Sequence, residues 1–389
     1  MALPAAPVSR VCSTPKTDED EDEIAWATTT TFAEECNRDF YVASQDDLTS
    51  ISRNCAILDG TIYINGTYND SFILSGITNI TRSIRVAWWD DAPTPQITNM
   101  ELRDLQYVRV IELPHLAASN FSAPDLESVI TLRLGQEKLR SEALLPSLRS
   151  GGSMSIVGNY SRVVLDSLER VNDSLAICTM PYCDESMGKS IIDPPLNVTL
   201  PSLVTANRIA IASKASIVSG PKLESIADLA GIHSQTLRLT LPESPVSISF
   251  PMLESLDGSL EVEGAIESIN LPSLLNTRET ISIVTSHPLN LSLPLVSSSG
   301  YIKLIGEFES VDLPDLESIQ SMRIQSSLPL DCGPLDDRFD DGGDTAGYLY
   351  ECESASGSGG SSSLMRVDAA VGVVIGVVGS TVLLGYGLW

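Results

Sequence analysis

Between Phe250 and Leu316 the sequence repeats one short phrase, as Phe250-Pro-Met-Leu253, Leu271-Pro-Ser-Leu274, Leu293-Pro-Leu-Val296 and Leu313-Pro-Asp-Leu316. The copies follow one another at intervals of about 20 to 22 residues, a period that is typical of solenoid repeats. A unit of this length holds one turn of a coil and buries its apolar side only against its neighbours. The phrase therefore predicts a rod of stacked coils, with function carried on its outer surface or at its ends.

Stretches of alternating apolar and polar residues, such as Thr280-Ile-Ser-Ile283, recur between the phrases and predict strands with one face inside the coil. A second class of strand runs into the proline, as in Ile269-Asn-Leu-Pro272, and ends there because proline has no backbone N–H. After the proline, Leu316-Glu-Ser-Ile319 and similar phrases place a serine at an expected corner. We expect a mainly β, right-handed parallel β-solenoid of about ten to twelve coils, close to 50 Å long.

The composition limits the class of partner. The chain has 389 residues, 43% of them hydrophobic and only 5% aromatic, which suits stacked aliphatic ladders. Its formal net charge of -27 argues against binding to nucleic acid, which requires clustered Lys and Arg. We therefore expect no nucleic-acid partner.

Signs of the secretory pathway are spread along the chain. Seven cysteines lie mostly near the ends of the repeat region, where covalent closure of a solenoid is expected. The chain also contains eight Asn-x-Ser/Thr triplets, which are candidate N-glycosylation sites. They begin at Asn65, Asn69, Asn79, Asn120, Asn159, Asn172, Asn197 and Asn290.

We predict three disulfides: Cys36 with Cys55, Cys178 with Cys183, and Cys332 with Cys352, leaving Cys12 unpaired. The first pair brackets a predicted short helix at residues 43–53, which would cover the open edge of the first strand as a cap. Free buried thiols are the alternative. No metal or cofactor is expected, because none of the three histidines is near a cysteine.

The two ends of the chain have their own compositions. Residues 1–33 are an acidic, polar leader without an apolar stretch of signal-peptide length, so we hypothesise that the start is incomplete. The ordered domain is predicted at 36–352, followed by a Ser/Gly-rich linker at 353–366 and an apolar tail at 367–389. Small residues, a polar spacer and an apolar tail predict a glycosylphosphatidylinositol (GPI) anchor, with Ser356 or Gly357 as the attachment residue. A transmembrane helix is the alternative for the tail.

Several of these features occur together in one known family. Cys36, the Asp46-Asp-Leu-Thr-Ser-Ile51 helix, Cys55, the Gly60-Thr-Ile-Tyr-Ile64 strand, the Pro-x-Leu-x-Ser coils, Cys332 with Cys352, and the tail carry the resemblance. The chain resembles the fungal GPI-anchored cell-wall organisation proteins of the extracellular-mutant and sporulation-specific type. Their ectodomain is similar to the leucine-rich-repeat-like L domains of insulin and epidermal growth factor receptors. The resemblance implies a cell-surface glycoprotein that supports wall integrity without catalysis.

The sequence is compatible with three functions. The first is a non-enzymatic, extracellular glycoprotein, held on the plasma membrane by a lipid anchor or in the wall, whose partners are cell-wall glycans or wall proteins. The second is an adhesin or receptor-like ectodomain that binds a glycan or protein ligand. The third is a β-helix enzyme acting on polysaccharides, which would need grouped carboxylates.

No catalytic residues can be assigned from the sequence. Carboxylates such as Asp315 and Glu317 recur in other repeats, which favours a solvated face over a catalytic group. An acid-rich terminal loop does not match the EF-hand spacing, and we expect it to be solvent-facing; it contains Asp336, Asp337, Asp340, Asp341 and Asp344. Trp88 and Trp89 are a candidate sugar-stacking pair, although such a pair more often has one ring in the core.

Overall fold

The repeated phrase forms a β-turn. The backbone N–H of Leu253 donates to the carbonyl of Phe250 at 3.2 Å, and the N–H of Leu274 donates to the carbonyl of Leu271 at 3.2 Å. Proline at the second position of such a turn has the required φ already fixed. Both apolar ends of the Phe250 to Leu253 turn are fully buried. Each phrase thus reverses the chain at one corner of a coil and anchors that corner in the core.

The computed structural model describes residues 34–87, 94–116, 118–179, 195–227, 236–295, 297–339 and 349–355. It is mainly β, with 57% of the described residues in strands, and forms a parallel β-solenoid of about 11 turns, which confirms the predicted solenoid. The strands are β1 (Phe40–Val42), β2 (Ile57–Leu58), β3 (Thr61–Ile64), β4 (Phe72–Leu74), β5 (Asn79–Val86), β6 (Met100–Leu102), β7 (Tyr107–Leu116), β8 (Asn120–Ser122), β9 (Ser128–Leu144), β10 (Ser150–Val164), β11 (Arg170–Cys178), β12 (Val198–Thr199), β13 (Thr205–Ala212), β14 (Ile217–Ser219), β15 (Ser225–Ile226), β16 (Thr236–Ser249), β17 (Ser255–Leu256), β18 (Ser259–Asn270), β19 (Asn276–Thr277), β20 (Ile281–Ser292), β21 (Ser297–Asp312), β22 (Ser318–Ser326) and β23 (Leu349–Ser354).

The coils stack into three parallel walls, which we call the main, second and third walls. Each wall is identified below by residues that occupy equivalent positions in successive coils. The main wall contains the ladder Ile62, Ile84, Ile111, Leu132, Met154, Leu175, Ile209, Leu237, Leu260, Ile281, Ile302 and Met322. The second wall, which leads into the Pro turns, contains Phe72, Met100, Phe121, Ala143, Val163, Val198, Val218, Ile248, Ile269, Leu291 and Val311. The third wall, which follows the turns, contains Leu58, Ile80, Val108, Val129, Gly151, Val171, Ala206, Ile226, Leu256, Thr277, Ser298 and Ile319.

The third wall differs from the sequence-based expectation. The serine of the Leu-Glu-Ser-Ile phrase was expected at a corner, but Ser128, Ser225 and Ser255 each begin a strand segment. The two strand classes expected in each coil also merge in several places into one long bent strand, such as β18. Bulges carry the ladder round the bend, as between Leu241 and Val246 of β16. Pairing with neighbouring coils, which no single repeat reveals, therefore decides where the strands end.

Two corner glycines are required by the close approach of successive coils. Gly264 has a φ of 146° and Gly306 a φ of 130°, a region that L residues rarely adopt. A Cβ at Gly264 would collide with the backbone carbonyl of Leu241, and one at Gly306 with that of Thr285. Glycine at these positions thus permits the coils to stack at the bend that follows the main wall.

Short helices lie at both ends of the described rod. Helix α1 (Gln45–Asn54) begins after the N-cap Ser44, one or two residues from the bounds expected from the sequence. Ser44 and Asp47 form a capping box, in which each side chain accepts a hydrogen bond from the other residue's backbone N–H. Helix α2 (Gly333–Phe339) lies next to the final strand β23, and a single 3-10 turn (Glu34–Cys36) opens the described chain.

The second wall is open at two places among the described residues. Residues 162–164 of β10 pair with β9 only, and β12 pairs with β14 only, so β10 and β12 face each other without a ladder. The ladder between β18 and β20 likewise covers only residues 260–264 and 281–285. The first opening lies within the interval from Leu165 to Leu200, which is longer than one coil.

Candidate functional site

The two disulfides predicted at the ends of the solenoid are present. Cys36 is bonded to Cys55 and Cys332 to Cys352. The first pair is buried beside α1, and the second packs against the edge of the core. Cys178 is also disulfide-bonded, whereas its predicted partner Cys183 lies outside the described residues.

Three of the candidate glycosylation sites share one outer face. Asn120, Asn197 and Asn290 each come one position before a buried residue of the second-wall ladder, namely Phe121, Val198 and Leu291. Since alternate residues of a strand point to opposite faces, all three asparagines are on the outer side of that wall. Asn197 and Asn290 are exposed, whereas Asn120 is half-buried.

The remaining triplets differ in their access to solvent. Asn69 and Asn172 are exposed, and Asn65 and Asn79 are half-buried. Asn159 is only 6% exposed. A glycan is attached through the side-chain amide nitrogen, which must therefore reach solvent. The folded structure leaves no room for a sugar at Asn159.

A cleft of about 540 Å³ opens where β10 and β12 fail to pair, and we name it the wall cleft. Its lining includes residues 161–164 of β10 on one side and residues 195–197 with Thr199 on the other. Leu196 is buried and forms part of its apolar floor. In the sequence, the cleft corresponds to the long interval between Leu165 and Leu200.

Three charged residues line the described part of the wall cleft: Arg162, Lys214 and Asp166. Arg162 is exposed and forms no ion pair with the described residues, although Glu142 is its partner in register. The carboxamide oxygen of Asn197 accepts hydrogen bonds from the N–H of Ser216 at 2.9 Å and from its hydroxyl at 3.0 Å. This side chain is therefore held in one orientation at the edge of the cleft.

Two hydroxyl groups are buried without a hydrogen-bond partner at the corner of the same two coils. They belong to Tyr160, which follows the main-wall part of β10, and to Thr179, which follows β11. Burial raises the pKa of the Tyr160 phenol, so it stays neutral. Each unpaired buried group costs about 1–3 kcal/mol. Both hydroxyl groups belong to the two coils whose second-wall strands do not pair, although unpaired buried groups also occur on other coils.

The outer face of the main wall carries ion pairs between successive coils. Glu112 lies 3.6 Å from Arg85 and 3.5 Å from Arg133, on the coils before and after it. Arg238 and Glu261 repeat the pattern at 3.4 Å. Exposed pairs of this kind contribute little stability each, but they match the register of the neighbouring strands.

The N-terminal end exposes an aromatic pair. The rings of Tyr41 in β1 and Tyr63 in β3 stack with centroids 5.0 Å apart, and Tyr41 is 57% exposed. Arg38 lies over the ring of Phe40, beside a cleft of about 200 Å³ between β1 and α1. The alternation of apolar and polar residues predicted the strand β3, but it did not indicate that Tyr63 would stack on Tyr41 of β1.

The other candidate residues are not brought together into a site. The corner acids Asp125, Glu127, Glu224, Glu254, Asp315 and Glu317 are all exposed. No group of metal ligands is present among the described residues. Asp336 and Asp337 lie in α2. Outside the described residues are Cys12, Trp88, Trp89, Asp340, Asp341, Asp344, Ser356, Gly357 and the tail.

In the part of the chain that the structure describes, no helix is long and apolar enough to cross a membrane. Comparisons of the chain with protein-family models, with curated proteins and with solved structures give no match.

Proposed function

We propose that this chain is an extracellular, GPI-anchored glycoprotein that supports the organisation and integrity of a fungal cell wall without catalysing a reaction. The observation that carries the proposal is a β-solenoid whose two described ends are each closed by a disulfide. Disulfides persist in oxidising compartments such as the secretory pathway and the cell surface. Closed ends also prevent a rod from pairing edge to edge with other copies.

The placement of the glycosylation triplets supports the same proposal. Asn69, Asn172, Asn197 and Asn290 are exposed, so attached sugars would extend into solvent without disturbing the core. A rigid rod with sugars on its outer faces suits a protein that contacts wall glycans or wall proteins over an extended surface.

The finer fold assignment is part of the proposal: a right-handed, receptor L-domain-like coil in which α1 acts as the N-terminal cap. Gln45 of α1 supports the capping role. Its side-chain amide donates to the carbonyl of Ile73 at 2.7 Å, and its side-chain oxygen accepts from the N–H of Ile73 at 2.9 Å. These bonds engage both backbone groups of a residue in β4, whose strand partner among the described residues is β6. A helix that engages an open edge in this way prevents further strand addition.

Release from the cell surface tests the proposal. Phosphatidylinositol-specific phospholipase C should free the protein from intact fungal cells, and a glucanase should free any fraction bound to the wall. A deletion strain should have altered wall composition and greater sensitivity to wall-binding dyes. Cytosolic protein, or a deletion strain with unchanged wall composition and dye tolerance, would contradict the proposal.

A second candidate function is an adhesin or receptor-like ectodomain with a specific ligand. The wall cleft favours it, because an open cleft with a partly polar lining is a place where a ligand can bind. Saturable binding of one glycan or one peptide, together with a normal wall in the deletion strain, would favour this second function. A polysaccharide-active enzyme is less favoured, since the recurring acids are spread over successive corners.

A further inference from the structure

Among the residues that the structure describes, none pairs with the two strand edges that face each other across the wall cleft. Residues 162–164 of β10 form a described ladder with β9 only, and β12 forms one with β14 only. In a parallel sheet, alternate residues of each strand direct their N–H and C=O groups to opposite neighbours. Half of the backbone groups on each of these two strands therefore faces the cleft. Such edges are templates for pairing with an additional strand.

The size and floor of the cleft suit a short extended segment. Its volume of about 540 Å³ lies within the range of known ligand sites. Val163 and Leu196 give it a partly apolar lining, and Leu196 is only 2% exposed. Side chains on one face of an added strand would meet this apolar floor, while those on the other face would point to solvent.

The lining favours a peptide over a sugar chain. The apolar faces of sugar rings pack on flat aromatic side chains, but no aromatic residue is among the described residues that line the cleft. The repeating donors and acceptors of the two strand edges match an extended polypeptide instead.

The charge of the lining selects among peptides. Arg162 is exposed, has no ion-pair partner among the described residues and stands on the outer side of β10, one position before Val163. Lys214 and Asp166 also line the described part of the cleft. The exposed guanidinium of Arg162 complements an acidic side chain on the solvent face of an added strand.

We propose that the wall cleft binds an extended peptide segment that carries acidic residues, by adding it as a strand between β10 and β12. The inference goes beyond the proposed function. It names a site and a ligand chemistry, and it holds or fails independently of lipid anchoring and of any role in the wall.

Fluorescence anisotropy tests the proposal on the purified full chain, first unaltered and then with Asn197→Gln, which removes any glycan at the edge of the cleft. The probe is a labelled peptide of roughly twelve residues, about 40 Å when extended, in which valine alternates with threonine or glutamate. Two control peptides replace each glutamate by lysine or methylate alternate backbone amides. A linear glucan oligosaccharide is the fourth probe.

The proposal predicts saturable binding of the glutamate peptide and weaker binding of both control peptides. Arg162→Glu should weaken binding of the glutamate peptide by about tenfold. Arg82→Glu makes the same charge change at an exposed site on another wall, and it should leave binding within about twofold. Absence of saturable binding, equal binding of the N-methylated peptide, preference for the glucan, or equal losses in the two variants would each overturn the proposal.

Discussion

The guanidinium of Arg338 donates a hydrogen bond of 2.7 Å to the backbone carbonyl of Leu313. It also donates to the carbonyls of Pro314 at 3.0 Å and Leu316 at 3.1 Å. These carbonyls belong to the last of the Leu-Pro-x-Leu turns quoted from the sequence. Arg338 thus supplies donors from α2 to the final turn, in the way that backbone groups of a following coil would.

Replacing Arg338 should loosen the C-terminal end. Charge-assisted hydrogen bonds contribute more than neutral ones, but Arg338 is exposed, so we expect Arg338→Met to lower the free energy of unfolding by about 1–2 kcal/mol. Urea unfolding followed by circular dichroism measures the change. Arg278→Met is the control, because that side chain is 75% exposed and its ion pair with Asp257 lies on the surface. Equal effects of the two substitutions would rule out the role of Arg338.

The C-terminal disulfide should stabilise the same end through the loop it closes. Cys332 and Cys352 are separated by 20 residues, and a loop of that size corresponds to about 3 kcal/mol. The double variant Cys332→Ser, Cys352→Ser should therefore melt well below the parent protein in a thermal scan. Each single variant should cost about as much as the double one. A double variant that melts with the parent would show that the bond does not hold the end closed.

Comparing alanine substitutions at Gly264 and Gly76 tests how closely the coils stack. The comparison separates the cost of backbone strain from the cost of a collision between an added Cβ and the neighbouring coil. Gly76 also has a positive φ, of 78°, but the nearest atom to an added Cβ there is 3.6 Å away. Gly76→Ala should cost about 1 kcal/mol from strain alone. Gly264→Ala should cost more, on the order of 3 kcal/mol, because its Cβ also meets the carbonyl of Leu241. Chemical denaturation compares them, and equal costs would contradict the close approach of these coils.

The capping box of α1 should make the free energy of unfolding depend on pH. The backbone N–H of Ala43, followed by the hydroxyl and N–H of Ser44, lowers the pKa of Asp47 despite partial desolvation. The pKa of an aspartate side chain in an unfolded chain is about 3.9. The stabilisation from Asp47 is thus fully present above that pH and is lost as the pH falls through the lower folded pKa.

Asp47→Ala should therefore cost about 1 kcal/mol at neutral pH and progressively less as the pH falls below about 4. Unfolding curves between pH 2 and pH 7, at roughly half-unit steps, measure this difference. Asp46→Ala is the matched control, since Asp46 is in the same first turn but outside the capping box. A cost for Asp47→Ala that stays constant down to the lowest pH would contradict the assignment.

Local patterns in the sequence predicted a large part of the fold. The Leu-Pro-x-Leu phrase contains a turn-forming proline and two buried apolar residues. Its regular spacing along the chain predicted the solenoid. The polar start at Asp46 and Asp47 and the apolar spacing of Leu48 and Ile51 predicted the first helix to within one or two residues, whereas the capping role of Ser44 was not predicted. Two disulfides were predicted correctly because their cysteines lie in pairs near the two ends of the repeat region.

Features that depend on pairing between distant coils could not be predicted. The third wall exists because Ser128 and its counterparts join ladders about 20 residues apart, and a single repeat shows only a corner. The wall cleft depends on the missing ladder between β10 and β12. The bonds from Arg338 reach back 22 to 25 residues to carbonyls that carry no sequence signal.

Site-by-site glycan occupancy, measured by mass spectrometry of glycopeptides from the protein made by its native host, is the decisive test of a stacked solenoid that reaches the cell surface. We expect glycans at the exposed outer positions Asn197 and Asn290 and none at Asn159, which the stacked coils bury. Sugar on Asn159 would contradict the stacking of the coils, and a chain without sugar at any of the eight triplets would contradict its passage to the cell surface.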